Sequence, residues 1–386
     1  MWSARWTSHW AFPVPTATEA VDHQRRRWLG ALALGGLLPA LGRAAGSEPG
    51  AAQLIAAWQS GDEHRIGLID LADGQAWVHR ELPVPTRAHG LCVERGGSVL
   101  AMARRPGDWL VRWHPASGAT QWRWIEDDRR FNGHVMASPD GETLWTTETD
   151  LDTGEGRLAV RDARTLAKTG EFATHGMDPH EMLVLPRAVG VVPAGSLLVA
   201  NGGIASRPET GRAKRELERM DPSLVALDGA SGRVLGQWRL GDPRLSIRHL
   251  AWDPVSACVG IALQAEHDDV PARQAAPVLA VWNGRELRAG QAQPALAGYG
   301  GDICARAVGG FLVSCTRAHQ VALFGGSGQW QSSIALDEAC ALGEVAGRWW
   351  AAGRSSALGG AELDGTRQTT GLPAGCRIDN HWQAFV

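Results

Sequence analysis

Short apolar runs rich in Val, Leu, Ala and Trp recur along the chain after about residue 45, and glycine-containing turn sequences separate them. Apolar runs of this length, bounded by residues that favour turns, predict many short β-strands. Stretches with the 3.6-residue period of a long amphipathic helix are nearly absent beyond that point, which disfavours a helical bundle or a Rossmann-type enzyme. The 48 glycines and 20 prolines therefore indicate turns between strands, not a flexible chain.

A turn dipeptide recurs through the same region. The seven inner hairpin turns are Asp73-Gly74, Ser117-Gly118, Arg164-Thr165, Ser231-Gly232, Asn283-Gly284, Ser327-Gly328 and Asp364-Gly365. They lie 37 to 67 residues apart in the sequence. Repeats of about 40–50 residues, each with about four short strands, are typical of a β-propeller. We therefore predict an all-β, seven-bladed β-propeller over residues 45–386.

The two ends of this region complement each other. The last segment, Asp379 to Phe385, is predicted to be an innermost strand with no blade after it. The first three predicted strands form a blade without an innermost strand. They are Gln53–Gln59, His64–Leu71 and Ala76–Leu82. The C-terminal strand is thus predicted to pair into the N-terminal blade and to close the ring without exposed edges. Two packed β-sandwiches are the alternative, and they leave these ends unexplained.

One unit contains a charged insertion. Residues 207–222 separate two apolar strand phrases and add about 20 residues to the unit. Loops of that length in compact domains are usually functional or mobile.

Residues 1–44 have the features of an export signal. Arg25, Arg26 and Arg27 precede an apolar run from Gly30 to Leu41, and small residues follow that run. An apolar run of about 12 residues is too short to span a bilayer. Arg25 and Arg26, followed by one further residue and then by Trp28 and Leu29, resemble the twin-arginine signal, which exports folded proteins. We therefore expect a periplasmic protein with no stable membrane span, and we interpret residues 1–22 as a disordered extension or as the result of a misplaced start codon.

The net charge argues against one class of partner, and the cysteine spacing argues against a disulfide framework. The formal net charge is −3, so nothing electrostatic points to nucleic acid. The six cysteines show neither a CxxC pair nor a paired framework. Although an exported protein can form disulfides, and Cys304 and Cys315 are placed to face each other across a hairpin, we expect buried free thiols.

Several motifs together resemble a family of exported bacterial β-propellers catalogued as domain of unknown function 1513. They are Gly133-His134 with Ser138-Pro139-Asp140-Gly141, Thr147-Glu148-Thr149-Asp150, His175-Gly176-Met177-Asp178-Pro179-His180-Glu181, Asn201-Gly202-Gly203-Ile204, Met220-Asp221-Pro222-Ser223-Leu224, Ser246-Ile247-Arg248-His249-Leu250 and Asp379-Asn380-His381-Trp382. The resemblance covers nearly the whole chain after the leader. It implies YVTN- or WD-like repeats, a twin-arginine signal and an iron-related role beside exported imelysin-type or haem-containing proteins.

Five histidines occupy the same place in five of the predicted blades. They are His89, His134, His180, His249 and His381, and Asp302 takes the corresponding place in a sixth blade. Innermost strands line the central channel, so these imidazoles are predicted to surround one mouth of it. Imidazole suits zinc, copper, iron or nickel, and nearby carboxylates would complete an iron or copper site. We therefore assign the five histidines as candidate ligands of iron, of copper or of haem iron.

The loops that return to this mouth carry further polar residues. The candidate ligand-binding residues are Arg105, Glu148, Asp150, Asn201, Glu181 and Asp302. Imidazole, carboxylate and guanidinium groups around one concave mouth have the composition of a ligand site. Glu148 and Asp150 also have the spacing of an acid–base pair, because alternate residues of a strand share a face.

The histidines also fit interpretations that involve no metal. WD-type propellers repeat a histidine in each blade purely to hydrogen-bond loops. The repeated histidines are also compatible with a site for an anionic ligand, with a lactonase-like hydrolase in which Arg105 holds an oxyanion, and with a non-catalytic docking platform. The chain contains no GxSxG elbow, Walker loop or HExxH motif, which removes common hydrolases, nucleotide triphosphatases and zincins.

Overall fold

The computed structural model describes residues 51–205, 216–361 and 367–385. The predicted export signal, most of the charged insertion and the Asp364-Gly365 turn lie outside the described residues. The rest is built almost entirely of antiparallel strands.

The strands follow one another at short intervals. The N-terminal strands are β1 (Ala52–Ser60), β2 (Glu63–Ala72) and β3 (Gln75–Val84). The next two groups of four are β4 (Ala88–Val93), β5 (Val99–Ala103), β6 (Trp109–Trp113) and β7 (Thr120–Trp124), then β8 (Arg129–Ala137), β9 (Thr143–Asp150), β10 (Gly156–Asp162) and β11 (Lys168–Ala173). They are followed by β12 (Pro179–Val184), β13 (Leu197–Asn201), β14 (Ser223–Leu227), β15 (Val234–Trp238), β16 (Leu245–Asp253), β17 (Cys258–Ala265), β18 (Leu279–Trp282) and β19 (Leu287–Ala289).

The C-terminal strands are β20 (Ile303–Ala305), β21 (Phe311–Cys315), β22 (Gln320–Phe324), β23 (Trp330–Ala335), β24 (Leu342–Val345), β25 (Arg348–Ala352), β26 (Ser356–Ala361), β27 (Arg367–Gly371) and β28 (Arg377–Ala384). Helical structure in the described residues is limited to α1 (Val270–Ala275) and two 3-10 turns, Leu217–Arg219 and Thr316–Ala318.

The strands form sheets in which neighbours in sequence are neighbours in space. Five separate four-stranded sheets begin at β4, β8, β12, β16 and β20. An eight-stranded sheet has the order β24-β25-β26-β27-β3-β2-β1-β28, and its two antiparallel halves meet in one parallel pair, Gly371 with Gln75. Four-stranded antiparallel sheets in this serial order are the building units of a β-propeller.

The first strand of each group of four lies against the first strand of the next group, where β28 is counted as the first strand of the group β28-β1-β2-β3. These contacts join β4 to β8, β8 to β12, β12 to β16, β16 to β20, β20 to β24, β24 to β28 and β28 to β4. The predicted hairpin turns that the structure describes fall between the third and fourth strands of a group, as at Ser117-Gly118 between β6 and β7. They are therefore outer turns, and the prediction of inner turns was wrong.

The hydrophobic core lies between adjacent sheets. One cluster packs Leu198 and Leu224 of one sheet against Ile247, Ile261 and Trp282 of the next. None of the six cysteines forms a disulfide; Cys258, Cys315, Cys340 and Cys376 are buried as expected, whereas Cys92 and Cys304 are partly exposed. Burial raises the pKa of Cys315 and Cys340 to about 12. Four tryptophans of the predicted strands are also buried in these interfaces and contribute to packing: Trp113, Trp145, Trp282 and Trp382.

The last strand is fixed by a tryptophan. Trp382 is 3% exposed and packs in a cluster with Leu54 and Ala56 of β1 and Trp350 of β25, whereas Trp77 on β3 is 42% exposed. We predict that Trp382→Ala lowers the free energy of unfolding by about 3–5 kcal/mol, because it leaves a cavity between β28 and its neighbours.

Trp77→Ala is the matched control and is expected to cost much less, because its ring is already partly hydrated. Urea unfolding of both variants measures the difference. Equal losses would show that β28 does not depend on this packing.

Candidate metal centre

All five predicted histidines lie at irregularities in first strands. In β4, β12 and β16, two residues stand opposite one on the partner strand, and these pairs are His89-Gly90, His180-Glu181 and Arg248-His249. In β8 and β28, three residues stand opposite one, and the third residue is His134 or His381. A β-bulge bends a strand and re-aims a side chain. Five bulges therefore turn five imidazoles toward one place, which we call the histidine centre.

The imidazole rings of the histidine centre are in mutual contact. Nine of their ten pairwise centroid separations lie between 4.4 and 5.8 Å. The Nε2 atom of His180 is 3.3 Å from Nε2 of His89 and 2.9 Å from Nε2 of His249. Nε2 of His381 is 3.1 Å from the same His249 atom. His89, His180, His249 and His381 thus present ring nitrogen atoms to one another.

Two glycines permit β4 and β8 to approach closely. A Cβ on Gly90 would lie 2.3 Å from the carbonyl oxygen of Gly133. A Cβ on Gly133 would lie 2.7 Å from Cδ2 of His89, and Gly133 also has a φ of +108°, which L side chains rarely adopt. The sequences His89-Gly90 and Gly133-His134 therefore bring two bulges and their rings together.

Burial keeps most of the centre neutral. His89, His134, His180 and His249 are between 0% and 6% exposed. Burial, followed by neighbouring positive charge, holds the pKa of each of these four imidazoles well below its usual value. Burial also acts on His381, but the Asp302 carboxylate, with Glu181 and Asp379, outweighs it and raises the pKa of His381. Neutral imidazole is the form that binds metal ions.

Two of the predicted ligand-binding carboxylates adjoin the histidines. Oδ1 of Asp302 is 3.0 Å from Nδ1 of His381, and Oε1 of Glu181 is 3.9 Å from Nδ1 of His134. The other Glu181 oxygen, Oε2, accepts a 2.7 Å hydrogen bond from the amide of Leu250. Burial raises the pKa of Glu181 to about 7.

Arginine–aspartate clusters flank the centre, and sequence reasoning had missed their acidic members. Asp178 is fully buried between Arg105 and Arg248, whose Nη1 donates to Asp178 Oδ2 at 2.7 Å. Although burial favours the neutral acid, these two guanidinium groups hold the pKa of Asp178 below its usual value. The predicted ligand residue Arg105 is thus paired to a buried carboxylate.

Asp379 forms a second cluster of the same kind. It accepts a 2.7 Å hydrogen bond from Arg87 Nη2 and a 3.0 Å hydrogen bond from Arg104 Nη1. Asp178 stands two residues before His180, and Asp379 two residues before His381. This shared spacing was the one available sequence signal for the two aspartates.

The remaining predicted ligand residues have other partners. Glu148 accepts from Thr146 and Arg161 at 2.7 Å, Asp150 accepts from the amides of Asp152 and Thr153, and Asn201 donates to the carbonyl of Thr174. Within the described residues, no hydrogen bond or ion pair of these three reaches an imidazole. The carboxylates adjoining the centre are Glu181 and Asp302 instead.

Part of the histidine centre has the donor geometry of a metal site. His89, His134, His249 and His381 each offer one nitrogen, and these four atoms all lie within 4.8 Å of one another. His180 lies between His89 and His249 and offers a fifth nitrogen. In the described part of the chain, Nε2 of His134 is buried without a hydrogen-bond partner. Buried polar atoms normally have partners, so this nitrogen is consistent with a ligand.

The fold is similar to that of known β-propeller lyases. A streptogramin B lyase structure aligns over 84% of this chain and 88% of its own, with a TM-score of 0.55 and 11% identity. A catalytically inactive histidine-to-alanine variant of virginiamycin B lyase from Staphylococcus aureus, crystallised with quinupristin, aligns over 74% of this chain and 84% of its own, with a TM-score of 0.53 and 10% identity. At these identities the similarity shows the fold alone, an all-β, β-propeller-like one.

Sequence comparison gives the family. The family model described as "Protein of unknown function (DUF1513)" matches residues 82–385, so the chain belongs to that family. No curated protein matches the chain. Among the helices that the structure describes, none is long and apolar enough to cross a membrane.

The neutral imidazoles make the metal-free protein sensitive to acid. Below about pH 6.5 the unfolded chain binds protons at His89, His134, His180 and His249, whereas the folded protein, with lowered pKa values, does not. The free energy of unfolding therefore decreases as the pH is lowered, with a slope that approaches about 1.4 kcal/mol per pH unit for each group. His381 and Glu181, with raised pKa values, act in the opposite direction, since their contributions are lost as pH rises.

Because four groups oppose two, we predict a net loss of stability between pH 6.5 and pH 5.5. Urea unfolding in the presence of a chelator measures it. His89→Gln should reduce the slope, and His79→Gln, outside the centre, should leave it unchanged. A free energy of unfolding that is equal at pH 7.5 and pH 5.5 would contradict the assignment.

Proposed function

We propose that this protein binds one divalent first-row transition-metal ion through the histidine centre. The observation that carries the proposal is the row of Nε2 contacts from His89 through His180 and His249 to His381, each between 2.9 and 3.3 Å. A ring nitrogen carries one proton or one lone pair, never both. His180 and His249 each have two such neighbours, so hydrogen bonds satisfy only part of the row. A cation satisfies every lone pair together.

The contact lengths match the spacing of nitrogen ligands around one ion. With metal–nitrogen bonds of about 2.0–2.1 Å, neighbouring ligands are about 3.3–3.4 Å apart in a tetrahedron and about 2.8–3.0 Å apart in an octahedron. The observed 2.9, 3.1 and 3.3 Å fall within this span. The proposed coordination set is the four histidines whose ligand atoms lie within 4.8 Å of one another, with His180, which contacts two of them, as a fifth ligand.

The donor type limits the ion. Imidazole suits zinc, copper, iron and nickel, whereas magnesium and calcium prefer oxygen ligands. Haem fits poorly, because a porphyrin occupies four positions around its iron, and rings 4.4–5.8 Å apart leave no space for it. Of the three candidates from the sequence, bound iron or copper ions are therefore favoured over haem.

Burial favours ion binding over catalysis by the histidines. A general base in a lactonase-like hydrolase must reach its substrate, yet four of the five imidazoles are at most 6% exposed. Arg105, the residue that would hold an oxyanion in such a hydrolase, is paired with Asp178. A non-catalytic docking platform would give the converging nitrogens no role.

We propose further that the protein is exported to the periplasm and serves an iron-handling system beside imelysin-type or haem-containing proteins. The resemblance of the leader to a twin-arginine signal and the family resemblance support this proposal. Replacing Arg25 and Arg26 with lysine should leave the precursor in the cytoplasm, because lysine lacks the planar guanidinium group. Normal periplasmic accumulation of that variant, seen by cell fractionation, would contradict this route.

The finer architecture that we propose is a seven-bladed ring closed by β28. Its support is the pairing of β28 with β1, from Leu54–Ala384 to Gln59–Arg377, and the cyclic order of the first-strand contacts. The comparison of Trp382→Ala with Trp77→Ala tests this closure, because an open ring removes the packing around Trp382.

We predict that one ion per chain stabilises the protein at pH 7.5. Fe(II), Cu(II), Zn(II) and haem are added separately to chelator-treated protein, and thermal unfolding and bound metal are measured. A ligand of the folded state at a hundred times its Kd adds about 2.7 kcal/mol to the free energy of unfolding. At pH 5.5 binding should be weaker, because protons compete for the imidazoles.

The double variant His89→Gln, His249→Gln should lose this stabilisation. His79→Gln, which alters a histidine of β3 outside the centre, is the control and should respond like the wild type. If no ion raises the unfolding temperature of the wild type, and the protein contains no metal when purified, the proposed function is wrong.

A further inference from the structure

Asp302 occupies the gap in the histidine centre. It directly precedes β20, in one of the two groups of four strands whose first strand carries no histidine. His249 and His381, on either side of that gap, have ring centroids 4.4 Å apart. The Asp302 side chain is 7% exposed and so lies within the protein.

Both carboxylate oxygens of Asp302 are already engaged. Oδ1 accepts from the amide of Ile303 at 2.9 Å and contacts Nδ1 of His381 at 3.0 Å, and Oδ2 accepts from the amide of Leu342 at 2.8 Å. These partners belong to β20, β28 and β24, so the carboxylate is fixed from three strands. The two backbone amides can only donate, so both oxygens of Asp302 act as acceptors, and we assign the hydrogen of the contact with His381 to its Nδ1.

This proton leaves Nε2 of His381 with a free lone pair. That atom lies 3.1 Å from Nε2 of His249, inside the centre. The other histidines lack such support among the described residues: Nδ1 of His89, of His180 and of His249 has no hydrogen-bond partner, and Glu181 is 3.9 Å from Nδ1 of His134. His381 is the ligand whose tautomer the structure fixes.

We propose that Asp302 is a positioning residue of the metal centre, which acts through His381 and does not itself bind the ion. It holds the His381 ring with Nε2 toward the ion and increases the basicity of that nitrogen. Metal-binding histidines commonly donate their second ring N–H to a carboxylate in this way. The inference rests on the proposed function, since it concerns a ligand of the same ion.

The test compares Asp302→Asn with Asp70→Asn. Asp70 makes the same contact with His79, Oδ2 to Nδ1 at 3.0 Å, between β2 and β3 outside the centre. Both proteins are titrated with Zn(II) and with Co(II), whose visible absorption reports the ligands. Asp302→Asn should weaken binding about 10–100-fold and shift the Co(II) bands, and Asp70→Asn should change neither.

A second measurement needs no variant. In the Zn(II)-loaded wild type, nitrogen-15 NMR of the imidazoles should show His381 protonated at Nδ1 and bound to the ion through Nε2. If Asp302→Asn fails to fold, this spectrum decides the question alone. Unchanged affinity and Co(II) spectrum in Asp302→Asn, or a His381 without a proton on Nδ1, would overturn the inference. A wild type that binds neither ion would instead contradict the proposed function.

Discussion

The bulges in five first strands are the constraint on which the site depends. In a regular strand, successive side chains point to opposite faces of the sheet, so the side chain of a histidine in an edge strand would point to one face only. The inserted residues in β4, β8, β12, β16 and β28 bend these strands and reorient the histidine side chains, so that the rings converge. The contact between Gly90 and Gly133 then sets how closely two of these strands approach. Convergence is thus a property of the backbone as much as of the histidines.

Electrostatics around the centre follows from its burial. Four imidazoles stay neutral because charge is costly in the interior, while Asp302, which faces His381, raises the pKa of that imidazole. Asp178 and Asp379 each lie beside two arginines, which compensates the buried carboxylates. A buried charge without a partner would strongly destabilise the fold, so these clusters allow a polar centre to exist inside a β-propeller-like protein.

Repetition made much of this predictable from sequence. The spacing of the turn dipeptides indicated the four-stranded sheets, and the repeated histidine phrases identified all five members of the centre. The family resemblance was also correct. The bulges could not be predicted from the sequence, because one or two extra residues in a strand do not visibly change its apolar pattern. The sequence analysis did not assign Asp178 or Arg248 to the site, while Glu148, Asp150 and Asn201, which it grouped with the mouth, have other hydrogen-bond partners.

The central claim is that ring nitrogens of the histidine centre hold one metal ion. X-ray absorption at the metal edge of the Zn(II)- or Cu(II)-loaded protein tests it most directly. The account predicts four or five nitrogen neighbours at about 2.0–2.2 Å, with the outer-shell scattering that imidazole rings produce. A first shell of oxygen atoms without imidazole scattering would contradict the account, since the ion would then be bound elsewhere on the protein.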